Sequence, residues 1–247
     1  MTSQNIPRLA IIGLCCALVA TVGCKKATSP PTEALVTFDI VHEVDGVPLQ
    51  LDTILYQNAA GNHYDVTRLE YYLSYFNCMD NSGLGHKVDS ICYINPRKPN
   101  SLSFHANLPT GSYSGIQFHI GLPAMKNTSY CLSNTPENIN MAWPEMMGGG
   151  YHFMKFEGHY LDPLQEQKGF AMHLGMNPYL ITVILNKPFQ IQEGTNHIQL
   201  TMNLNEWFAH PHTYNFDMHG NYTMGVDSLM RKLSENGPSV FTLKQQP

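Results

Sequence analysis

Apolar and polar residues alternate along much of the chain with the two-residue period of β-strands. Val36, Phe38, Ile40, His42 and Val44 share one parity, and Thr37, Asp39 and Glu43 share the other, with Val41 the exception. A half-buried strand with this pattern carries His42 inward beside Phe38 and Ile40. Asp45-Gly46 then predicts a turn. Residues 51–56 read as a second strand, and residues 66–76 as a helical turn leading into a strand. Further strands are expected at 90–94, 102–107, 115–122, 150–160, 169–175, 179–185 and 196–204. Turn chemistry punctuates them at Pro96, Pro109-Thr110-Gly111, Asn186-Lys187-Pro188 and Glu193-Gly194-Thr195-Asn196. One helix is expected at 227–235, with Leu229, Met230 and Leu233 on its apolar side and Asn236-Gly237 as its stop. Many short strands at this spacing predict an all-β fold, an antiparallel β-sandwich with short peripheral helices.

The N-terminus departs from this pattern. Arg8, an apolar run from Leu9 to Val22 and then Gly23-Cys24 have the form of an export signal over residues 1–24. Thr21-Val22-Gly23-Cys24 looks like a lipobox, in which Cys24 is acylated and anchors the chain to a membrane. An ordinary secretory signal is the alternative, and both place the folded part outside the cytoplasm, in the periplasm or at the cell surface. Residues 25–34 form a Pro/Thr/Ser-containing linker, and 35–247 suffice for one sizeable core. The net charge of -5 and the lack of a basic run argue against nucleic acid as a partner.

Beyond the signal the cysteines are Cys78, Cys92 and Cys131. Cys78 and Cys92 flank a turn-rich link, Asp80 to Gly85, so a hairpin disulfide is one reading and three buried thiols the other. No CxxC pair of a structural zinc site is present.

The stretch 141–158 concentrates candidate chemistry. It gathers Met141, Trp143, Met146, Met147, His152, Met154 and Glu157 around Gly148-Gly149-Gly150, and His159, Met172, His173 and Met176 follow. Thioether and imidazole are side chains that copper and zinc select. An ordinary strand is the competing reading, with Tyr151, Phe153 and Lys155 on one face, His152, Met154 and Phe156 on the other, and methionine filling the core. His119 shares its parity with Gln117 and Gly121 and is expected to face solvent or the outer side of a sheet. His210-Pro211-His212 and His219 read as a polar loop or an adventitious copper(II) site.

Several segments recur in a familiar order. They are 38–51 with His42 and Gly46-Val47-Pro48-Leu49, then Tyr56 to Gly61, Arg68-Leu69-Glu70-Tyr71-Tyr72-Leu73-Ser74, Gly111 to Ile116 and His119-Ile120-Gly121. Trp143 to Gly158, His173-Leu174-Gly175, Asn205-Glu206-Trp207-Phe208 and Asn236 with Val240-Phe241 complete the set. Together they resemble the MbnP-like copper-binding family, in the form common among Bacteroidetes-type lipoproteins, from about Val36 to Phe241. Two features depart from that pattern. Glu145 and the three glycines stand where the family has a second tryptophan and no extra glycines, and Asn127-Thr128 stand where copper-binding relatives carry Asn-His.

The resemblance implies copper as the bound ion. His42 and His173 are the first-choice ligands because both fall in matching segments, with His152 as a third. For each, a core histidine satisfied by backbone or carboxylate is the alternative. In some relatives the tryptophan matching Trp143 is oxidised to kynurenine and helps hold the metal, which implies a di-haem oxidase as a partner acting on Trp143. A structural tryptophan capping the core is the alternative there.

Two functions follow. One is an exported, lipid-anchored copper-binding protein that sequesters or hands on the ion and catalyses nothing. The other is a carbohydrate- or peptide-binding surface lipoprotein without metal, with Tyr71, Tyr72, Tyr75 and Trp207 lining a groove. An enzyme ranks third, since the sequence has no GxSxG elbow, HExxH helix, P-loop or dinucleotide fingerprint.

Overall fold

A computed structural model describes residues 1–2 and 32–246. The chain divides into Met1–Pro30 and Pro31–Pro247. The expected signal and Cys24 lie outside the described residues, and the structure below is that of the second unit. In chain order its strands begin with β1 (Glu33–Val44), β2 (Val47–Pro48), β3 (Tyr56–Gln57), β4 (His63–Tyr64), β5 (Arg68–Asp80) and β6 (Gly85–Ile94). They continue with β7 (Ser103–Pro109), β8 (Gly111–Ile120), β9 (His152–Leu161), β10 (Gln167–Gly175), β11 (Ile181–Leu185), β12 (Phe189–Ile191), β13 (Thr195–Asn203) and β14 (Phe241–Gln245). The helices α1 (Pro136–Asn140), α2 (Phe216–His219) and α3 (Asp227–Asn236) lie in the connections. Among the described residues no helix is long and apolar enough to cross a membrane.

The strands form an all-β sandwich. One sheet runs β14-β13-β1-β2, with β7 on the other side of β1. The second runs β11-β8-β5-β9-β4-β3, with β6, β10 and β12 added to β5, β9 and β8. Pairing is antiparallel except between β1 and β13, which run parallel. β1 begins at Glu33, inside the expected linker, and its inward parity is the one the alternation predicts: Val36, Phe38, Ile40, His42 and Val44 are all buried. Phe38 stacks on Phe104 at 4.8 Å and meets Phe76 at 6.2 Å; Phe76 in turn stacks on Phe118 at 5.4 Å. These contacts join the two sheets by apolar area and aromatic geometry.

Three expectations are corrected. Residues 51–56 are not a strand: Asp52 takes a left-handed φ of 64° to receive Arg97 at 2.6 and 2.7 Å, and pairing starts only at Tyr56. Residues 66–76 contain no helical turn. From Arg68 on, β5 is a central strand with a bulge at Tyr75, bonded to β6, β8 and β9 and buried on both faces, which removes the alternation that marks a half-exposed strand. The Cys78–Cys92 disulfide is absent and all three cysteines are free. The hairpin register sets Cys78 opposite His86 and Cys92 opposite Leu73. Five residues of strand separate those positions, roughly 16 Å, against the roughly 7 Å that a bridge spans between Cα atoms.

The aromatic groove is overturned as well. Tyr71, Tyr72 and Trp207 are fully buried, and only Tyr75 reaches solvent, stacked on His119 at 5.0 Å. His119 thus lies on the outer side of its sheet, as its parity predicts.

Maleimide labelling in denaturant without reductant is expected to modify Cys78, Cys92 and Cys131. In native protein Cys131, which is exposed, reacts first and Cys78, which is buried, last. A mass deficit of two hydrogens before reduction contradicts this register.

Candidate metal centre

The entry into β9 is built from glycine. Gly148, Gly149 and Gly150 all have positive φ, and the space a Cβ would need at Gly149 and Gly150 is held by Ser129 and Asn127 at 2.5 Å. Only glycine allows three such residues in succession at this closeness. The reversal lets Trp143 N–H reach Gly150 O at 2.9 Å and His152 N–H reach Met141 O at 2.6 Å. The indole of Trp143 is thereby laid beside the His152 ring, centroids 4.7 Å apart, while its N–H donates to Met147 O at 3.2 Å. Gly175 closes the other side, where a Cβ would lie 2.4 Å from the indole.

A bulge then decides what His152 faces. β10 pairs Leu174 with Met154 but Gly175 with His152, leaving Phe153 as the extra residue. Strict alternation assigns His152 to the core face of Met154. The bulge re-aims it, and its ring meets the His173 ring edge-on at 5.1 Å.

The hydrogen bonds set the tautomers. A carbonyl only accepts, so His152 Nδ1 carries the proton that goes to Met141 O at 3.2 Å, and Nε2 presents a lone pair. That Nε2 is buried and has no partner. Burial, followed by the nearby Lys155 and His173, pushes the His152 pKa down to about 3, so the ring is neutral at physiological pH. His173 Nε2–H donates to Glu157 Oε1 at 2.8 Å, which leaves Nδ1 as its lone-pair nitrogen. A carboxylate behind a ligating imidazole is the arrangement that fixes tautomer and raises basicity at metal sites.

Glu157 is shared. Its Oε1 also accepts from Arg68 Nη1 at 3.2 Å, and Arg68 Nη2 reaches Glu70 at 2.9 Å. The His173 hydrogen bond and then Arg68 hold the Glu157 carboxyl below its ordinary range. Glu70 also accepts from Asn95 and Asn140, and the buried Lys155 donates to Asn140 O at 2.5 Å. Burial and the neighbouring Arg68 lower the Lys155 pKa. Behind His173, Thr223 Oγ1 accepts from His173 N at 2.7 Å and donates to His173 O at 2.8 Å. The segment carrying Thr223 runs along the outer side of β10, with Tyr222 bridged to Ala171.

The structure therefore brings His152, His173 and Trp143 together and leaves His42 out. His42 Nε2 bonds Tyr71 Oη at 2.8 Å. Tyr71 and its register partner Met154 point into the sandwich, whereas Glu70, Lys155 and, opposite Lys155, His173 point to the outer face. The expected convergence of His42 with His173 is thus corrected: the sheet lies between them. Burial pushes the His42 pKa down to about 3. Met172 is core, Met146 is exposed, and His159 pairs with Asp65. His210 and His212 pair separately with Glu206 and Glu235, and His219 accepts from Asn215 N.

Among the described residues no three His, Cys, Asp or Glu side chains are gathered as a ready-made metal cluster. The arrangement is an imidazole pair beside an indole. Sequence reasoning missed Arg68 and Thr223 as supports and gave Glu157 no role. The signal for Glu157 is that it and His173 occupy outward positions on paired strands, which is readable only once the register is known.

Fold and site together define a β-sandwich with a paired-histidine centre on the outer face of its larger sheet. The MbnP family pattern matches residues 33–230, and the chain belongs to that family. Among solved structures, MbnP from Methylosinus trichosporium matches with a TM-score of 0.57 and 13% sequence identity, covering 87% of this chain and 100% of that one. At this identity the likeness is one of fold. No curated protein matches the sequence.

Gly175→Ala is expected to displace the indole at a cost of about 1–3 kcal/mol, read as a lower denaturation midpoint with altered near-UV dichroism; an unchanged spectrum contradicts the contact. A second expectation concerns pH. His42 and His152 have folded pKa values depressed below 6.5 to about 3. Their stabilisation is fully present above 6.5 and is lost as pH falls from there through about 3. Urea midpoints of metal-free protein should fall between pH 6.5 and about 5, above the carboxylate range, and His42→Gln should flatten that slope. A slope unchanged in the variant contradicts the assignment.

Proposed function

We propose that this chain is a non-catalytic copper-binding protein that sequesters or hands on the ion, with His152 Nε2 and His173 Nδ1 as the nitrogen ligands. The observation that carries the proposal is the buried His152 Nε2, which has a lone pair and no partner and lies beside His173. A buried polar atom left unmet calls for an occupant, and imidazole nitrogen suits copper. Glu157 orients His173 from behind, and the Met141 carbonyl orients His152. Membership of the MbnP family supports copper as the metal. His42 serves the sandwich through Tyr71 and is not part of the ligand set.

Trp143 is the residue a di-haem oxidase partner would modify. Its indole already lies against His152, so a carbonyl and amine formed by ring opening would arise next to the metal. At the other end of the chain, the 21–24 sequence supports export and acylation at Cys24, with the folded unit displayed at a membrane in the periplasm or at the cell surface.

Metal analysis of untagged protein tests the ligand set. Copper is expected at one equivalent in the native protein, lost in His152→Ala and His173→Ala and retained in His42→Ala. Glu157→Gln should weaken binding by about 10–100-fold. Affinity should fall with pH as the ligand nitrogens compete with protons. Copper retained in His152→Ala sinks the assignment, and intact-mass analysis reports modification of Trp143 and of Cys24.

A further inference from the structure

A cleft of about 690 Å³ opens beside the metal centre, between α1, the loop before it and the Glu145–Met147 turn. Tyr130, Ile139, Trp143 and Tyr151 are among its lining residues. Tyr130 and Ile139 are 90% and 62% exposed, an unusual state for apolar side chains facing one concavity.

The charge of the lining is one-sided. Glu145 is its sole ionisable carboxylate, and no Lys, Arg or His lines it. Among the described residues no cation forms an ion pair with Glu145. Three of the neutral polar side chains are already engaged in holding the loops. Asn138 accepts from Tyr72 Oη at 2.6 Å and donates to Ser133 O at 2.8 Å; Tyr151 Oη accepts from Leu132 N at 2.9 Å; Ser129 Oγ accepts from Gly150 N at 2.8 Å. The Glu145 carboxylate is folded over Gly149, where the missing Cβ leaves it room within 2.8 Å of that position.

From this lining we infer that the cleft binds a small organic cation, an amine carried on an aromatic or branched apolar body. The open Tyr130 ring, backed by the buried Trp143 and Tyr151, and an unpaired carboxylate both favour a cation, and the absence of positive side chains removes the competitor that would neutralise Glu145. A neutral ligand gains the apolar contacts and hydrogen bonds but no charge attraction, and an anion meets the carboxylate. The inference does not depend on copper, because neither His152 nor His173 lines the cleft.

Phenethylamine, 2-phenylethanol and phenylacetate share one apolar body and differ in charge. Titrated into metal-free full-length protein, followed by calorimetry and by the Trp143 indole N–H resonance, they should bind in the order amine, alcohol, acid. The amine is expected to lead the alcohol by about tenfold. Glu145→Gln should bring the amine to within about twofold of the alcohol and leave the alcohol unchanged. Ile139→Lys, at an exposed helix position, should abolish amine binding. Equal binding of amine and alcohol, an amine preference that survives Glu145→Gln, or no binding of the amine overturns the inference while leaving the copper reading intact.

Discussion

One carboxylate oxygen, Glu157 Oε1, accepts from both Arg68 and His173 on the outer face of the larger sheet. Three strands meet through it: β5 supplies Arg68, β9 the carboxylate and β10 the imidazole. Its ionised form is held by two donors, so His173 turns Nε2–H to the carboxylate, and in the neutral ring Nδ1 is then the nitrogen left as acceptor. The rest of the centre is arranged around that fixed ring. His152 comes to it by the bulge, and Trp143 is held against His152 by the glycine reversal and Gly175.

This face differs in kind from the interior. Inside, Phe38, Phe76, Phe104 and Phe118 join the sheets without any polar requirement. Outside, Arg68 pairs with Glu70 and Glu157 beneath α1, whose Asn140 donates to Glu70 and accepts from Lys155 through its carbonyl. Hydrophobic packing tolerates substitution of shape for shape, whereas a network of this type fails when one partner is removed. The fold is therefore maintained by one set of residues and the centre by another.

Much of the fold was legible in the alternation of residues. The inward parity of His42 held because β1 is a regular strand. Legibility failed where regularity did. β5 is buried on both faces and carries no alternation, so its start looked helical. The Phe153 bulge reverses the side on which His152 lies, and one extra residue in a ladder leaves no mark in composition. Two candidate histidines could be listed from the sequence, but the sheet standing between His42 and His173 depends on register. The same holds for Cys78 and Cys92, near in sequence and apart along the hairpin.

The segment around Thr223 bears on more than the histidine it grips. β10 is the outermost partner of β9, and such a strand offers a row of unpaired amides to any neighbouring chain. Tyr222 bridges to Ala171, Ala171 N–H goes to Asn221 O at 2.7 Å, and Asn221 Nδ2 donates to Gly169 O at 2.7 Å, so these groups are taken up within the molecule. The loop that steadies the imidazole therefore also takes this stretch of the rim out of reach of strand addition by a neighbouring chain.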